Sequence, residues 1–157
     1  MTKWPPMERR GPQASDAEVA AFEARIGFAL PQDYRQFLLD VNGGRTDEDH
    51  SEFNLNVLNR LFSLNDTDDE SRDLLTRHER ALPTLPAPSL LFVGHDDGGG
   101  RILVSMDDEH RGEVWMQITT DARPEDANPR VLWHDRRDMK KLANSFESFL
   151  RSLGPLT

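Results

Sequence analysis

Carboxylates beside glycines are the residues of this sequence with the clearest potential for chemistry. Asp96 and Asp97 precede a run of glycines, and carboxylate oxygens next to a flexible turn can wrap around calcium or magnesium. With the acidic run at 107–109 they would form the site of a metal-dependent hydrolase. The same residues also suit a tight turn between two strands, because Asp and Gly tolerate positive φ. We favour the turn.

Other catalytic templates are not matched. The chain has no cysteine, which excludes a thiol nucleophile, a thiolate metal site and a disulfide framework. His78 and Glu79 begin a zinc-protease motif, but Leu82 stands where its second histidine belongs. The sequence also lacks a Gly-x-Ser-x-Gly elbow and a glycine loop followed by a phosphate-binding lysine. We therefore expect a protein that is not an enzyme and has no metal or other cofactor.

The charge of the chain favours a cationic partner. Lys and Arg number 19 against 28 Asp and Glu, which gives a formal net charge of -9. This charge repels a phosphate backbone, so we expect no direct binding to nucleic acid. Acidic clusters are typical of solvated loops, and that interpretation stays open. The candidate contacts for a cationic partner lie in two such clusters: Asp66, Asp68, Asp69, Glu70, Asp107, Asp108 and Glu109.

Length and hydropathy indicate one soluble domain. The chain has 157 residues, which fits a single core, and it contains no stretch near the ~20 apolar residues that span a bilayer. Its amino terminus shows no secretory pattern, so we expect a cytoplasmic protein without membrane contact. We predict an N-terminal tail at 1–14 and a single domain at 15–157. Trp4 either staples that tail to the domain or is mobile. The oligomeric state stays open.

Capping residues predict two helices near the start. Ser15 and Glu18 have the spacing of a capping box, and Gly27 is placed to end the helix in a left-handed conformation, so residues 16–26 should be helical. Pro31 suits the first position of a second helix, which residues 42–44 should end. Neither helix can bury its apolar stripe alone, so both should pack on a sheet.

Alternation and turn residues predict that sheet. Phe53, Leu55 and Val57 alternate with asparagines, as in a strand. A short helix should begin at Leu74 and end at the prolines that follow. Further strands are expected at 90–94, 101–106, 113–118 and, after a loop at 122–130, at 131–135. A last helix is predicted from Asn144, as N-cap, to Leu153. The expected fold is α+β, a mainly antiparallel sheet packed against two N-terminal helices and a C-terminal helix.

Four segments carry a family resemblance. ALPQDYRQFLLDVNGG, VGHDDGGGRILVSM, GEVWMQI and ANSFESFL, in this order, resemble the SUKH superfamily, which includes the yeast Smi/Knr cell-wall regulators. The likeness runs from about residue 15 to residue 153. It implies helices packed on a largely antiparallel sheet and no established catalytic machinery. The sequence departs from the family pattern in a long acidic segment at 65–73 and in the triple glycine at 98–100.

The resemblance also implies a function through protein binding. Bacterial members are commonly immunity proteins that neutralise a cognate polymorphic toxin, often a nuclease, and fungal members are regulatory interaction modules. Binding surfaces vary so much in this superfamily that no functional residues can be transferred. Our leading hypothesis is an immunity protein that occludes a cationic toxin domain. A regulatory scaffold of the Smi/Knr type is the alternative, and the metal-dependent hydrolase is the third hypothesis.

Overall fold

Within the residues that the structure describes, four α-helices occupy segments with apolar stripes. The structure is a computed structural model and describes residues 3–118 and 130–155. The helices are α1 (Asp16–Ile26), α2 (Gln32–Asp40), α3 (Leu74–Ala81) and α4 (Phe146–Ser152). Within the described residues, none of them has the length and apolarity needed to cross a bilayer.

Local capping accounts for where α1 and α4 begin. The Ser15 hydroxyl accepts a hydrogen bond from the Glu18 amide at 3.2 Å, and the Glu18 carboxylate accepts one from the Ser15 amide at 3.1 Å, so the predicted capping box is confirmed. Gly27 ends α1 with φ of 81°, as predicted. Pro31 is the N-cap of α2 and not its first residue. The N-cap of α4 is Ser145 and not Asn144, because the Ser145 side chain accepts the Ser148 amide.

The described part of the chain contains eight strands in one large and one small antiparallel sheet, which confirms the α+β class. In chain order the strands are β1 (Met7–Glu8), β2 (Arg45–Thr46), β3 (Glu52–Phe53), β4 (Asn56–Leu61), β5 (Leu90–Asp96), β6 (Arg101–Ser105), β7 (Val114–Gln117) and β8 (Met139–Ala143). The larger sheet has the order β3-β4-β5-β6-β7-β8, and β1 pairs with β2. Each strand of the larger sheet therefore pairs with its neighbour in sequence.

The strand predicted from Phe53, Leu55 and Val57 is wrong at its centre. Asn54 and Leu55 form a turn with φ of 47° and 67°, and this turn separates β3 from β4. Positive φ at both central residues matches the twist of a hairpin, so the turn sets the register of Phe53 opposite Asn56. Leu55 consequently points into solvent, with 91% of its surface exposed.

The strand predicted at 131–135 is also wrong. Trp133–Asp135 is a short 3₁₀ helix. The last strand is β8, which pairs with β7 at the edge of the sheet and exposes Lys140 and Lys141. Lysines are common on edge strands because they oppose pairing with other chains, but they also weaken the apolar alternation that identifies a strand. The loop predicted at 122–130 lies, except for residue 130, outside the described residues.

The N-terminal segment is joined to the core through Trp4. This side chain is buried, its ring centroid lies 5.3 Å from that of Phe37 on α2 and 6.2 Å from that of Phe146 on α4. Its indole N–H donates to Asp40 Oδ2 at 3.0 Å. Of the two possibilities for Trp4, the structure therefore shows the first, in which its side chain anchors the N-terminal segment to the domain. The boundary between residues 14 and 15 stays a prediction.

Helix α3 is fixed to β5 by a buried histidine. His78 Nδ1 accepts a hydrogen bond from the Phe92 amide at 3.1 Å, at a point where the β5–β6 register shifts. Burial lowers the pKa of His78 to about 4, because a charged imidazolium would lose its hydration. The residue that began an incomplete zinc-protease motif thus has a structural role.

Candidate protein-binding surface

The carboxylates of the hydrolase hypothesis do not converge. Asp96 Oδ1 accepts the Gly100 backbone amide at 2.6 Å and stabilises the β5–β6 turn, and Asp97 Oδ1 accepts the side-chain Nδ2–H of Asn59 at 2.7 Å, which joins that turn to β4. The acids at 107–109 follow the far end of β6, and a five-residue strand spans roughly 17 Å. Among the residues that the structure describes, no group of three or more possible metal ligands gathers at one point.

The acidic segment 65–73, called loop 65–73, neutralises much of its own charge. Asp66 Oδ2 lies 3.3 Å from Arg72 Nε, and the Asp66 side chain is only 11% exposed. The Asp66 amide donates to Asp73 Oδ1 at 3.0 Å, while Asp66 Oδ1 accepts the Asp68 amide at 3.2 Å. Asp66 is thus committed to its own loop, whereas the Asp68 side chain is exposed.

The remaining acids of loop 65–73 also have local partners. Asp69 Oδ1 accepts the Ser71 amide at 2.9 Å and the Ser71 hydroxyl at 2.6 Å, and Asp69 Oδ2 lies 3.7 Å from Arg72 Nε. The hydrogen bonds from Ser71 hold the pKa of Asp69 below its ordinary value. Glu70 pairs with Arg80 of α3 at 3.0 Å. Two arginines therefore face three of the four acids predicted here as contacts.

The segment 107–112, called loop 107–112, leaves its acids available. Asp107 Oδ1 accepts the His110 amide at 2.6 Å, which shapes the turn. Asp108 and Glu109 are exposed, and Glu109 Oε1 lies 4.0 Å from His110 Nε2. Within residues 3–118 and 130–155, no lysine or arginine nitrogen lies within 4.0 Å of a carboxylate oxygen of these three acids. Their charge is therefore directed at solvent.

The two predicted groups of acids lie at opposite ends of α1. Asn65 donates to Glu18 in the first turn of α1 at 2.5 Å. At the other end, Arg111 of loop 107–112 donates to the carbonyl oxygens of Ala29 at 3.1 Å and Leu30 at 2.8 Å, just beyond α1. A helix of 11 residues is about 16 Å long, so the structure does not bring the two groups together.

Four rings in and beside loop 107–112 form a cluster that the sequence analysis did not predict. We call His110, Trp115, Trp133 and His134 the aromatic cluster. The Trp115 and Trp133 ring centroids lie 4.9 Å apart, nearly perpendicular. His110 lies 5.2 Å from Trp133 and 4.5 Å from His134, again between ring centroids. Edge-to-face contacts of this kind stabilise the group beyond its buried area.

Glu113 connects the aromatic cluster to the sheet. Its Oε1 accepts the Trp115 indole N–H at 3.0 Å and lies 3.0 Å from His110 Nδ1, while its Oε2 lies 3.2 Å from Lys141 Nζ on β8. Burial acts to raise the pKa of Glu113, but the hydrogen bonds from Trp115, Lys141 and His110 together hold it below its ordinary value. The Glu113 carboxylate thus holds the side chains of Trp115, His110 and Lys141 together.

Apolar side chains beside the cluster reach solvent. Leu132 is 59% exposed and Val131 is 37% exposed, directly before the half-buried Trp133. Trp115, against which Trp133 packs, is buried, with 8% of its surface exposed. Sequence reasoning placed 131–135 in a strand and therefore missed this surface. The spacing of His110, Glu113 and Trp115 is the only local sequence signal for this surface. It indicates a cluster only once Trp133 is known to pack against these residues.

Comparison with known proteins supports the resemblance seen in the sequence. A model of the SMI1 / KNR4 family (SUKH-1) matches residues 13–152, which is most of the chain. No curated protein matches it.

Proposed function

Because this chain belongs to the SMI1 / KNR4 (SUKH-1) family, we propose that it is an immunity protein that binds and occludes a cognate toxin domain. The observation that supports this most is loop 107–112, where acids that face no lysine or arginine among the described residues lie beside an aromatic cluster and exposed apolar residues. Such a surface combines charge for recognition with apolar area for affinity. This function requires no catalytic residue, and we propose that the protein exerts it in the cytoplasm.

The net charge of -9 defines the partner by its electrostatics. A toxin that cleaves nucleic acid must hold phosphates, so its substrate cleft carries positive charge. An acidic protein is steered towards such a cleft and can cover it, which raises the association rate and disfavours wrong partners. We therefore propose a cationic toxin domain, such as a nuclease, as the partner.

Affinity in this proposal comes from Trp133 and its neighbours. Binding energy in protein interfaces is concentrated in a few desolvated anchors, among which Trp is enriched. Trp133, Leu132 and Val131 form the centre of the proposed interface, with Asp107, Asp108 and Glu109 at its rim. Four acids of loop 65–73 are proposed as peripheral contacts: Asp66, Asp68, Asp69 and Glu70. Arginines already face three of them, all except Asp68.

Co-expression with the toxin encoded beside the gene tests the proposal. We expect the protein to restore growth, to form a one-to-one complex with the toxin domain, and to associate more slowly as salt is raised. A matched pair of variants, Trp133→Ala and Leu55→Ala, separates specific protection from a general effect of expression, because both residues are apolar and only Trp133 lies in the proposed interface. Toxicity that persists at full expression of the native protein, with no complex formed, would contradict the proposal.

A regulatory module of the Smi/Knr type is the second candidate function, and membership of the family favours it as well. The two functions differ in the partner and not in the mode of action. A regulatory module should bind a non-toxic protein of its own cell, and growth should not depend on neutralising a neighbouring gene product. Deleting the gene while the neighbouring gene is intact distinguishes them, since only an immunity protein becomes essential in that setting.

A further inference from the structure

A row of polar side chains crosses one face of the larger sheet. Arg60 on β4 is the cross-strand partner of His95 on β5, His95 is the partner of Arg101 on β6, and Arg101 is the partner of Gln117 on β7. Residues directly opposite each other in antiparallel strands point to the same face. Arg101 accordingly donates to Gln117 Oε1 at 3.3 Å.

Two phenylalanine rings form the base of this region. The ring centroids of Phe62 and Phe92 lie 4.9 Å apart. The guanidinium of Arg77, from α3, lies 4.8 Å from the Phe62 ring and 5.5 Å from the Phe92 ring. Arg101 lies 5.4 Å from the Phe92 ring. We call Arg77 and Arg101 on these two rings, together with Arg60 in the same cross-strand row, the arginine face.

Among the residues that the structure describes, these three guanidinium groups have no carboxylate partner. Within the described part of the chain, no Asp or Glu oxygen lies within 4.0 Å of them, although the protein has 28 acidic residues. Arg77 donates to the Ser71 carbonyl oxygen at 3.4 Å, Arg101 donates to neutral Gln117, and one terminal nitrogen of Arg60 is shielded from water without any hydrogen-bond partner. Cations that are partly desolvated and unpaired are costly, and an arriving anion would offset that cost.

The pKa directions agree with this geometry. Burial is the largest of the effects that lower the pKa of Arg60, Arg77 and Arg101. The positive charge of Arg77 lowers the pKa of Arg101 further, and Arg72, Arg45 and Arg9 do the same for Arg60. Arg77 and Arg101 are therefore close enough to repel each other, in a protein that is acidic as a whole.

We propose that the arginine face binds a carboxylate-bearing segment of a partner protein. A guanidinium that rests on an aromatic ring keeps its N–H edge free, and that edge matches the two oxygens of a carboxylate. Arginine forks also match phosphate oxygens, so a nucleic acid is the competing ligand that the test has to separate from an acidic peptide.

This surface is independent of the proposed immunity function. Arg101 begins β6, whereas loop 107–112 follows the end of the same strand. The arginine face attracts acidic groups, while loop 107–112 attracts basic ones. The two can therefore be tested separately, and failure of one leaves the other standing.

Fluorescence anisotropy with a labelled deca-glutamate peptide tests the inference. We expect saturable binding at low salt, weakened about tenfold by Arg101→Gln and again by Arg77→Gln, in line with the loss of charge-assisted hydrogen bonds. Arg25→Gln is the matched control, since this exposed arginine of α1 pairs with Glu79 at 3.1 Å and lies outside the arginine face. It should leave binding unchanged. Thermal midpoints verify that each variant is folded.

Two further measurements keep the inference falsifiable. Arg101→Lys preserves the charge but not the planar fork, so it should bind the peptide several-fold more weakly than the native protein if carboxylates are recognised by geometry. A labelled decathymidylate should bind at least tenfold more weakly than deca-glutamate. Equal binding of the two probes, an equal effect of Arg25→Gln, or no binding of deca-glutamate up to millimolar concentration would overturn the proposal.

Discussion

Loop 65–73 and loop 107–112 carry similar runs of acidic residues at opposite ends of α1, and each contains one arginine. In loop 65–73, the Arg72 guanidinium lies 3.3 Å from Asp66 and 3.7 Å from Asp69. In loop 107–112, Arg111 instead donates to the carbonyl oxygens of residues 29, 30 and 106, so it anchors the loop without neutralising it. The first loop uses its charge to hold its shape, and the second presents its charge to solvent.

The difference shows that a count of acids does not give the charge a surface presents. What matters is the direction of the nearest guanidinium, which depends on tertiary contacts. Loop 107–112 also lies beside the aromatic cluster and the exposed Leu132, whereas the acids of loop 65–73 border α3 and a groove lined by Arg9, Arg10 and Arg72. Of the two loops, only loop 107–112 combines free negative charge with an apolar centre.

The largest expected effect is on the apolar centre of the proposed interface. Trp133→Ala should weaken partner binding by roughly 30-fold or more, the effect typical of a hot-spot residue. Leu55→Ala, at the exposed β3–β4 turn, should change affinity by less than about twofold. Calorimetric titration of the toxin domain measures both. Equal affinities for the two variants would remove Trp133 from the interface and with it the distinction between the two loops.

A smaller effect is expected from the carboxylate that supports the cluster. Glu113→Gln should lower the free energy of unfolding by about 1.5 kcal/mol at pH 7, because it weakens charged hydrogen bonds to Trp115 and Lys141. The pKa of Glu113 is lowered in the folded state, so its contribution is present above the ordinary value of 4.5 and is lost as pH falls through the folded-state pKa. Urea unfolding at several pH values should show the native protein and the variant converging in acid. A difference that is independent of pH would be inconsistent with this role.

Charge reversal compares the two loops directly. The double variant Asp108→Lys, Glu109→Lys should slow association with the toxin domain by about tenfold at low salt, since exposed charges control steering. The matched variant Asp68→Lys, Glu70→Lys reverses the same number of charges in loop 65–73 and should slow it by less than about threefold. Stopped-flow fluorescence gives both rates. A larger effect in loop 65–73 would invert the comparison.

The smallest effect on the association rate should come from making the charge of loop 65–73 resemble that of loop 107–112. Arg72→Gln removes the cation that faces Asp66 and Asp69, so less of their negative charge is neutralised and the loop attracts a basic partner more strongly. We expect association to accelerate by about twofold at low salt and not at high salt. The control is Arg25→Gln, which also removes one positive charge but from an exposed pair on α1. An identical acceleration by both variants would mean that net charge alone matters.

Local sequence rules recovered much of the fold. Ser15, Glu18 and Gly27 specify the ends of α1 through neighbouring backbone groups, and the hairpin between β5 and β6 follows from its Asp and Gly residues. The rules failed where tertiary contacts decide the outcome. Leu55 imitates a strand residue but lies in a turn, and β8 is recognisable only as the partner of β7.

The candidate surface was less predictable than the fold. Its acids at 107–109 were identified from charge, yet their difference from the acids at 66–70 depends on where Arg72 and Arg111 point. The aromatic cluster joins His110 to Trp133, far apart in sequence, through the pairing of β7 with β8. Neither composition nor periodicity contains that information.

Amide hydrogen exchange of the protein with and without its toxin domain tests the central claim most directly. Binding at the proposed surface predicts slower exchange in loop 107–112 and at residues 131–135, with little change in loop 65–73. Slower exchange in loop 65–73 with none at 107–112 and 131–135 would contradict it.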